Sequence, residues 1–436
     1  MYKVAFDTFG CRLNQAETAA LHDRFRARGY EPTDDVGEAD LFVINTCTLT
    51  TQAGAKCRRR IRSVIRRNPD ACIAAVGCHA QTDAEMLARI RGVDYIVGTA
   101  DKLRLAELIP SPAKLPEPLV VRNAVTLGVF TIEGTGRYPG TTRANLKVQE
   151  GCDFACAFCI IPRSRGRARS RAYEDILREA RALAQAGHRE IVVTGVNMGT
   201  WRDGRRTFAD VARALCDVDG LDRVRLSSIE PTTIERAIVR EMARPGSKLC
   251  PYLHVPVQSG DDAVLARMRR KYTSAEFRGF LEDALARVPD LGLGTDVMVG
   301  FPGEDEGAFA RSAALVAELP FTNVHVFSFS ARPRTSAYQM PERVEPVIVR
   351  ERSERLHRLA AARQAESYAA YQGRTLRVLF EQRLSDGSTV GFTDNYIRVS
   401  VDTPRDLANQ LARVRITGVR PASAGLPIAA VGELVA

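Results

Sequence analysis

Three cysteines fall within one short stretch, Cys152-Asp153-Phe154-Ala155-Cys156-Ala157-Phe158-Cys159, spaced C-x3-C-x2-C. A structural zinc site takes four ligands, usually in paired spacing. No fourth cysteine or histidine stands close by, and the nearest histidine downstream is His188. Three thiolates in one loop suit three corners of a cuboidal iron–sulfur cluster, with one iron left open to a small ligand. A zinc knuckle completed by a distant fourth ligand is the competing reading.

A second triplet is dispersed. The apolar runs Val4–Thr8, Leu41–Asn45 and Ile73–Gly77 read as strands, and Cys11, Cys47 and Cys78 follow them in turn. In an open parallel sheet the carboxyl ends of the strands share one edge, where ligands bind. Cysteines far apart in sequence would then converge into a second three-thiol site with an open iron. Buried structural cysteines are the alternative. His79 is a conceivable extra ligand, but its chain neighbour Cys78 already fills that role. Cys57, Cys72, Cys216 and Cys250 lack this placement.

The elements that must position these thiols follow from pattern. With Tyr95–Val97 as a fourth strand and helices over Asn14–Arg28 and Ala53–Arg67, the N-terminal part alternates strand and helix, which argues a parallel sheet covered by helices. Asn14-Gln15-Ala16-Glu17 reads as a capping box. Pro110–Pro118 is a proline-rich connector. Alternation resumes with strands over Leu146–Gln149, Ile191–Thr194, Val224–Ser227, Leu253–Val257, Gly294–Val299 and Val324–Phe329. Six βα units predict a partial barrel whose first strand leads into the cysteine loop, with chemistry at the carboxyl ends of its strands. A charged helix over Val347–Tyr371 follows. Five short strands beyond Gly373, with a turn at Asp386-Gly387, predict a small barrel of the OB type, often used on RNA. The predicted class is α/β. Its domains are 1–109 (open parallel sheet), a linker 110–137, 138–372 (the partial barrel) and 373–436 (the all-β barrel).

The chain has 436 residues, 45% hydrophobic content and a formal net charge of +10, which favours a polyanionic partner. Met1–Asp7 carries an acid where a signal peptide needs an unbroken apolar core, and no apolar run is long enough to span a bilayer. Ten cysteines in a chain of this size do not make a small secreted disulfide scaffold. A cytoplasmic location without a membrane partner is expected. Lys56, Arg58, Arg59, Arg60, Arg62, Arg66 and Arg67 crowd one helix beside an apolar seam of Ile61, Val64 and Ile65. That face is either simply solvated or meets phosphates.

The cysteine loop resembles the signature of radical S-adenosylmethionine enzymes. Ile160-Ile161-Pro162-Arg163-Ser164-Arg165-Gly166 narrows the resemblance to the methylthiotransferases. The resemblance implies two 4Fe-4S clusters. Cys152, Cys156 and Cys159 would hold the one that cleaves S-adenosylmethionine to a 5′-deoxyadenosyl radical. Cys11, Cys47 and Cys78 would hold an auxiliary one. The wording around Thr8–Thr18 and Asn45–Thr50 is most similar to the branch acting on threonylcarbamoyladenosine at position 37 of the tRNA anticodon stem-loop, giving its 2-methylthio form. The C-terminal part resembles the RNA-binding TRAM domain. Relatives act instead on isopentenyladenosine in tRNA or on a ribosomal-protein aspartate; an iron–sulfur RNA-binding or redox-sensing protein without turnover is the alternative outside enzymes. An electron donor and a sulfur source are implied but not identified.

By the same resemblance, Gly195, Glu230 and Gln258, at ends of successive strands, would contact S-adenosylmethionine. Asp296 lies within the fifth strand. Arg163, Arg165, Arg167, Arg169 and Arg171 alternate past the loop and would share one face of an extended segment. Arg163 and Arg165, with Arg332 and Arg334 after the last barrel strand, are the candidates for the threonyl carboxylate. Arg334 stands where the family has glycine in Arg-Pro-Gly-Thr. In the small barrel, Arg377, Arg398, Arg413, Arg415 and Arg420 are candidates to face RNA, and Tyr396 either stacks on a base or belongs to the core.

Overall fold

The computed structural model describes residues 1–125, 128–134, 141–423 and 426–435. The first six strands form one parallel sheet, of which three inner strands are buried on both faces, as parallel strands between helical layers are, while the others are partly exposed. The six are β1 (Lys3–Thr8), β2 (Glu31–Pro32), β3 (Leu41–Thr46), β4 (Cys72–Gly77), β5 (Tyr95–Val97) and β6 (Leu119–Val121), in the order β2-β1-β3-β4-β5-β6, all parallel. Leu21 and Phe25 of α1 (Arg12–Ala27) pack on one face with Val43; Ile61 and Val64 of α2 (Thr51–Arg67) pack on the other with Ile44 and Ile73. Short helices α3 (Cys78–Thr82), α4 (Ala84–Ala88) and α5 (Leu105–Leu108) complete the layers.

Two expectations need adjustment here. β6 lies inside the stretch expected to be linker and extends the sheet, with Leu119 N donating to Asp94 O at 2.8 Å. The expected linker end at 137 lies outside the described residues. The capping box at Asn14–Glu17 does not form. α1 starts earlier, with Cys11 at its N-cap, and Asn14 Nδ2 turns back to Phe9 O and Thr46 O.

The central strands are β7 (Arg143–Lys147), the short antiparallel pair β8 (Gln149–Glu150) and β9 (Arg169–Ser170), β10 (Glu190–Thr194), a hairpin of β11 (Arg202–Asp203) and β12 (Arg206–Thr207), β13 (Arg223–Leu226), β14 (Tyr252–His254), β15 (Gly292–Val299) and β16 (Phe321–Ser328). β7, β10 and β13 form one parallel triple, and β14, β15 and β16 another. Val224 joins the triples by bonding Lys248 O and Cys250 N. This is the six-stranded partial barrel expected. It is packed outside by α7 (Tyr173–Gln185), α8 (Phe208–Cys216), α9 (Arg236–Ala243), α10 (Asp262–Arg267), α11 (Ser274–Arg287) and α12 (Glu306–Glu318), while α6 (Ile161–Arg165) follows the cysteine loop.

Helix α13 (Pro346–Ala369) leads to a closed antiparallel-rich barrel of β17 (Thr375–Arg383), β18 (Ser388–Thr393), β19 (Arg398–Asp402), β20 (Leu411–Arg420) and β21 (Ala429–Leu434), ordered β17-β18-β19-β21-β20. Its β18–β19 turn plugs the amino-terminal end of the large barrel. Arg223, fully buried, donates to Phe392 O at 2.7 Å and Arg377 O at 2.9 Å; Arg225 donates to Asp394 O at 2.8 Å. Tyr396 takes a left-handed φ of 69°, which delays the third strand to Arg398, and its hydroxyl accepts from Arg12 at 3.2 Å and Arg143 at 3.4 Å. Half-buried and packed against Tyr252 and Phe392, it fills the seam between the two barrels and is not a platform for a base. No helix among the described residues is long and apolar enough to cross a membrane.

The N-terminal domain closes the open side of the partial barrel by touching both of its edge strands. Along β7, Asn145 Nδ2 donates to Gln15 Oε1 at 3.0 Å and Lys147 Nζ to Glu17 Oε1 at 2.7 Å. Beyond β16, Ser330 Oγ accepts from Thr51 N at 3.1 Å, and Arg334 Nη1 donates to Thr82 O at 3.1 Å.

Candidate functional site

The register of the N-terminal sheet brings Cys11, Cys47 and Cys78 to one edge. Gly10 has a φ of 99°, and a Cβ there would lie 2.9 Å from the Cys47 Cβ and Sγ, so only glycine lets the Cys11 turn press against Cys47. Burial pushes the Cys47 thiol up to about 12, and the sulfurs of Cys78 and Cys11 add to the rise. His79 is buried, and burial lowers its imidazole to about 4 although Asp83 pulls it the other way.

The second triplet sits at the carboxyl end of the β7 segment. Gly151, with a φ of 70°, has no room for a Cβ, which would meet Arg167 O at 1.9 Å. Cys152 N donates to Gly166 O, and Phe154 N points at Cys152 Sγ across 3.4 Å. Ala157 is pinned by backbone bonds to Met268 and Ala337. Burial pushes the thiols of Cys152 and Cys159 up, to about 11 and about 12. All ten cysteines are free of disulfides. At Cys47, Cys152 and Cys159, where burial raises the thiol, a bound cation such as a metal centre would offset the cost of ionisation.

Arg270, which the sequence reading missed, reaches the loop from beyond α10. Its Nη1 lies 3.3 Å from Cys156 Sγ, while Nη2 grips both Glu230 oxygens at 2.6 and 2.8 Å. Glu230 is therefore held through an arginine next to the loop. Burial raises its carboxyl; Arg270 opposes that rise. Gln258 takes a left-handed φ of 69° beyond the end of β14, and its buried Oε1 has no partner among the described residues; nor has Asn197 Nδ2, buried past the end of β10. Unsatisfied buried polar atoms are costly unless a ligand meets them. Gly195, beside Asn197, packs under Gln149, which bonds Val196 N and Asn197 N at 2.9 Å. These groups, together with the thiol loop, suit a polar ligand carrying amino, carboxylate and hydroxyl groups.

Inside the barrel a chain of side chains crosses three strands. His254 Nε2 and His325 Nδ1 both approach Asp296 Oδ1, at 2.8 and 3.0 Å. Tyr252 continues the chain beyond His254, and Asn323 beyond His325. Burial alone would raise Asp296, but the two imidazoles hold it well below the usual carboxylate range. The His325 side chain is 59% exposed, so the chain ends on the open side of the barrel.

The arginines fall out differently from the expectation. α6 and the bend after it turn the five alternating residues in different directions, so they share no face. Arg171 is buried against Asp175 and Glu179, Arg169 pairs with Glu150 at 2.8 Å, and Arg167 pairs with Asp153 at the surface. Arg165 is fully buried and its two terminal nitrogens are taken up by Glu17, Glu150 and Asn14, so it does not face a substrate carboxylate. Arg332 is buried against Thr48 and Asp83. Arg334 adopts the left-handed φ of 70° that a glycine would take there and bonds the N-terminal domain. Arg163, on the surface of α6, alone of the four has an exposed side chain with no hydrogen bond or ion pair among the described residues. In the small barrel Arg377, Arg415 and Arg420 are paired with Asp394, Glu433 and Asp386, and Arg398 Nε is buried. Arg413 remains exposed.

Comparison with known proteins gives three results. Residues 3–98 match the uncharacterized protein family UPF0004 and residues 146–316 match the radical SAM superfamily. The chain is 37% identical over 428 residues to the threonylcarbamoyladenosine tRNA methylthiotransferase MtaB of Bacillus subtilis, covering 95% of this chain and 94% of the relative. It is 34% identical to a tRNA-2-methylthio-N(6)-dimethylallyladenosine synthase of Cereibacter sphaeroides, covering 97% of each. Among solved structures, the radical S-adenosylmethionine methyltransferase TsrM of Kitasatospora setae has a similar fold, with a TM-score of 0.57 at 14% identity over 75% of this chain and 73% of that one.

Proposed function

The chain belongs to the radical S-adenosylmethionine tRNA methylthiotransferases, and from that premise we propose that it converts threonylcarbamoyladenosine at position 37 of tRNA to the 2-methylthio derivative. Membership brings S-adenosylmethionine and a 4Fe-4S cluster. In our reading Cys152, Cys156 and Cys159 hold that cluster, and Cys11, Cys47 and Cys78 hold a second one. Bound there, the clusters and S-adenosylmethionine would supply a hydrogen-abstracting radical and the sulfur for adenine C2.

The chain's own residues do the positioning. Gln258, Asn197 and Gly195 offer hydrogen-bonding groups and close backbone approach to the cofactor. Glu230 orients Arg270 against Cys156. Asp296 and His325, at the exposed end of the side-chain network, offer polar groups toward the substrate, while Tyr252 anchors the network at the plugged end. Arg163 is the candidate for the threonyl carboxylate, since an anion entering a site needs a charged partner. The small C-terminal barrel is read as a TRAM domain that helps hold tRNA, and such a substrate places the work in the cytoplasm.

One observation carries the two-centre reading. α3, which starts at Cys78, packs against α6, which starts just past Cys159, so the two triplets are neighbours in the fold. Mass spectrometry of tRNA nucleosides from cells with and without the gene tests the reaction. Loss of 2-methylthio-threonylcarbamoyladenosine is expected; loss of the isopentenyl product instead would move the enzyme to the sister branch.

A further inference from the structure

Helix α2 carries seven cations and no acid over its 17 residues. α13, of 24 residues, mixes both signs along its length. Among the described residues, two of the α2 cations are neutralised: Arg60 by Asp7 and Arg67 by Asp35. Lys56, Arg59, Arg62 and Arg66 are exposed and have no carboxylate partner among the described residues.

Their spacing gives them one direction. At about 100° per residue, Arg59, Arg62 and Arg66 fall within about 60° of one another, opposite the buried seam of Cys57, Ile61 and Val64. Arg59 and Arg66 are separated by about 10 Å along the axis. The ridge widens at its far end. A Cβ added at Gly92 would meet Ile65 at 3.2 Å, so the turn bearing exposed Arg89 and Arg91 lies beside the end of α2.

Cations stacked at i, i+4 without counter-charges repel one another, and no carboxylate among the described residues relieves them. The helix begins just past Cys47, and Thr51 at its start bonds Ser330 beyond the last strand of the large barrel. The ridge therefore runs outward from the junction of the two cysteine-bearing domains. The arginines of the small barrel, by contrast, are mostly paired or partly buried.

We propose that this ridge of α2, with Arg89 and Arg91, binds the phosphate backbone of the tRNA stem that carries the target adenosine. It rests on tRNA being the substrate and adds where the stem lies. The charge is spread along a line, as the phosphates of a nucleic-acid strand are, and it carries no groups arranged to read bases, so its contribution is independent of sequence.

The test uses the full-length, cluster-loaded enzyme and fluorescently labelled tRNA over a salt series. R59E/R62E/R66E is expected to weaken binding at least tenfold and to reduce the slope of log affinity against log salt by about 2–3. R59K/R62K/R66K keeps the charge and is expected to bind as the parent does, which separates lost charge from a damaged helix. Cleavage of S-adenosylmethionine without tRNA is expected to stay at the parent rate in both. Unchanged affinity and slope in the glutamate variant overturn the proposal. So does a loss confined to reduction by a protein electron donor, which would make the ridge a docking face for that donor. If the parent itself binds no tRNA, the functional reading fails rather than this surface alone.

Discussion

Arg165 Nη1 lies 2.9 Å from Glu17 Oε1, joining the helix behind the Cys152–Cys159 loop to the helix that starts at Cys11. Glu17 is fully buried among Arg165, Lys102 and Lys147, and Glu150 shares two of those cations. Burial would raise the Glu17 carboxyl, yet these cations hold it well below the usual range. Arg165→Met leaves Glu17 and Glu150 short of a partner, and removing one member of a buried ion network costs about 3–5 kcal/mol. The expected result is a lower denaturation midpoint with loss of every activity. Arg163→Met, two residues away on the surface, is expected to leave stability and tRNA-free cofactor cleavage intact. It should slow turnover of threonylcarbamoyladenosine tRNA by about ten- to a hundredfold, the worth of a charged hydrogen bond. Full turnover in that variant would remove Arg163 from the substrate site.

Iron content tests the two thiol sites separately. Anaerobic reconstitution is expected to give about eight irons per chain from two cubanes. Replacing Cys152, Cys156 and Cys159 by Ala should leave about four, and so should replacing Cys11, Cys47 and Cys78. A folded triple variant of either kind that holds no iron would point to one shared site.

Arg270 offers a cationic N–H to Cys156 Sγ, and hydrogen bonds to cluster sulfurs favour the more negative, reduced state. Arg270→Met should therefore shift the midpoint potential of that cluster to more negative values in an EPR-monitored titration. Arg270→Lys should recover part of the shift. An unchanged potential in the Met variant would confine Arg270 to holding Glu230.

Glu190 is buried beneath Arg225 at 2.7 Å and beside Arg223, where the small barrel plugs the large one. Burial opposes its ionisation, but the arginines hold its pKa near about 2, below an ordinary 4.5. A depressed carboxyl contributes stability that is complete above its unfolded value and is lost as pH falls through the folded one. Urea denaturation of the cluster-free protein should thus show the parent losing more stability than Glu190→Gln between pH 4.5 and 2. At neutral pH the variant should be less stable by about 3–5 kcal/mol, because two arginines stay buried without their acid.

Removing residues 373–436 is expected to unfold the large barrel in part instead of yielding a catalytic core that merely lacks RNA affinity. Arg223 and Arg225 would lose the carbonyls of Phe392, Thr393 and Asp394, and Tyr252 its contact with Tyr396. Thermal melts of the truncated chain check this; a melt at the parent temperature would show that the plug is dispensable.

The strand–helix alternation, the six βα units and the closed five-stranded barrel were all legible in the sequence, because local hydrophobic period and turn chemistry determine them. The two cysteine triplets were legible for the same reason. One is contiguous, and the other repeats a single position at successive strand ends. What each arginine does was not legible. Arg163 and Arg165 are two positions apart in one short helix, yet one meets solvent and the other four buried oxygens from Glu17, Glu150 and Asn14. A charged side chain takes its role from the partners brought around it, and those of Arg165 lie up to 151 residues away in sequence. The same holds for Arg270 at Cys156, for Tyr396 in the seam between the barrels, and for His254, Asp296 and His325, which come from three strands. Only tertiary packing, within the large barrel and between domains, set those distances, because electrostatic and hydrogen-bond energies depend on separations of a few ångströms that sequence spacing does not encode.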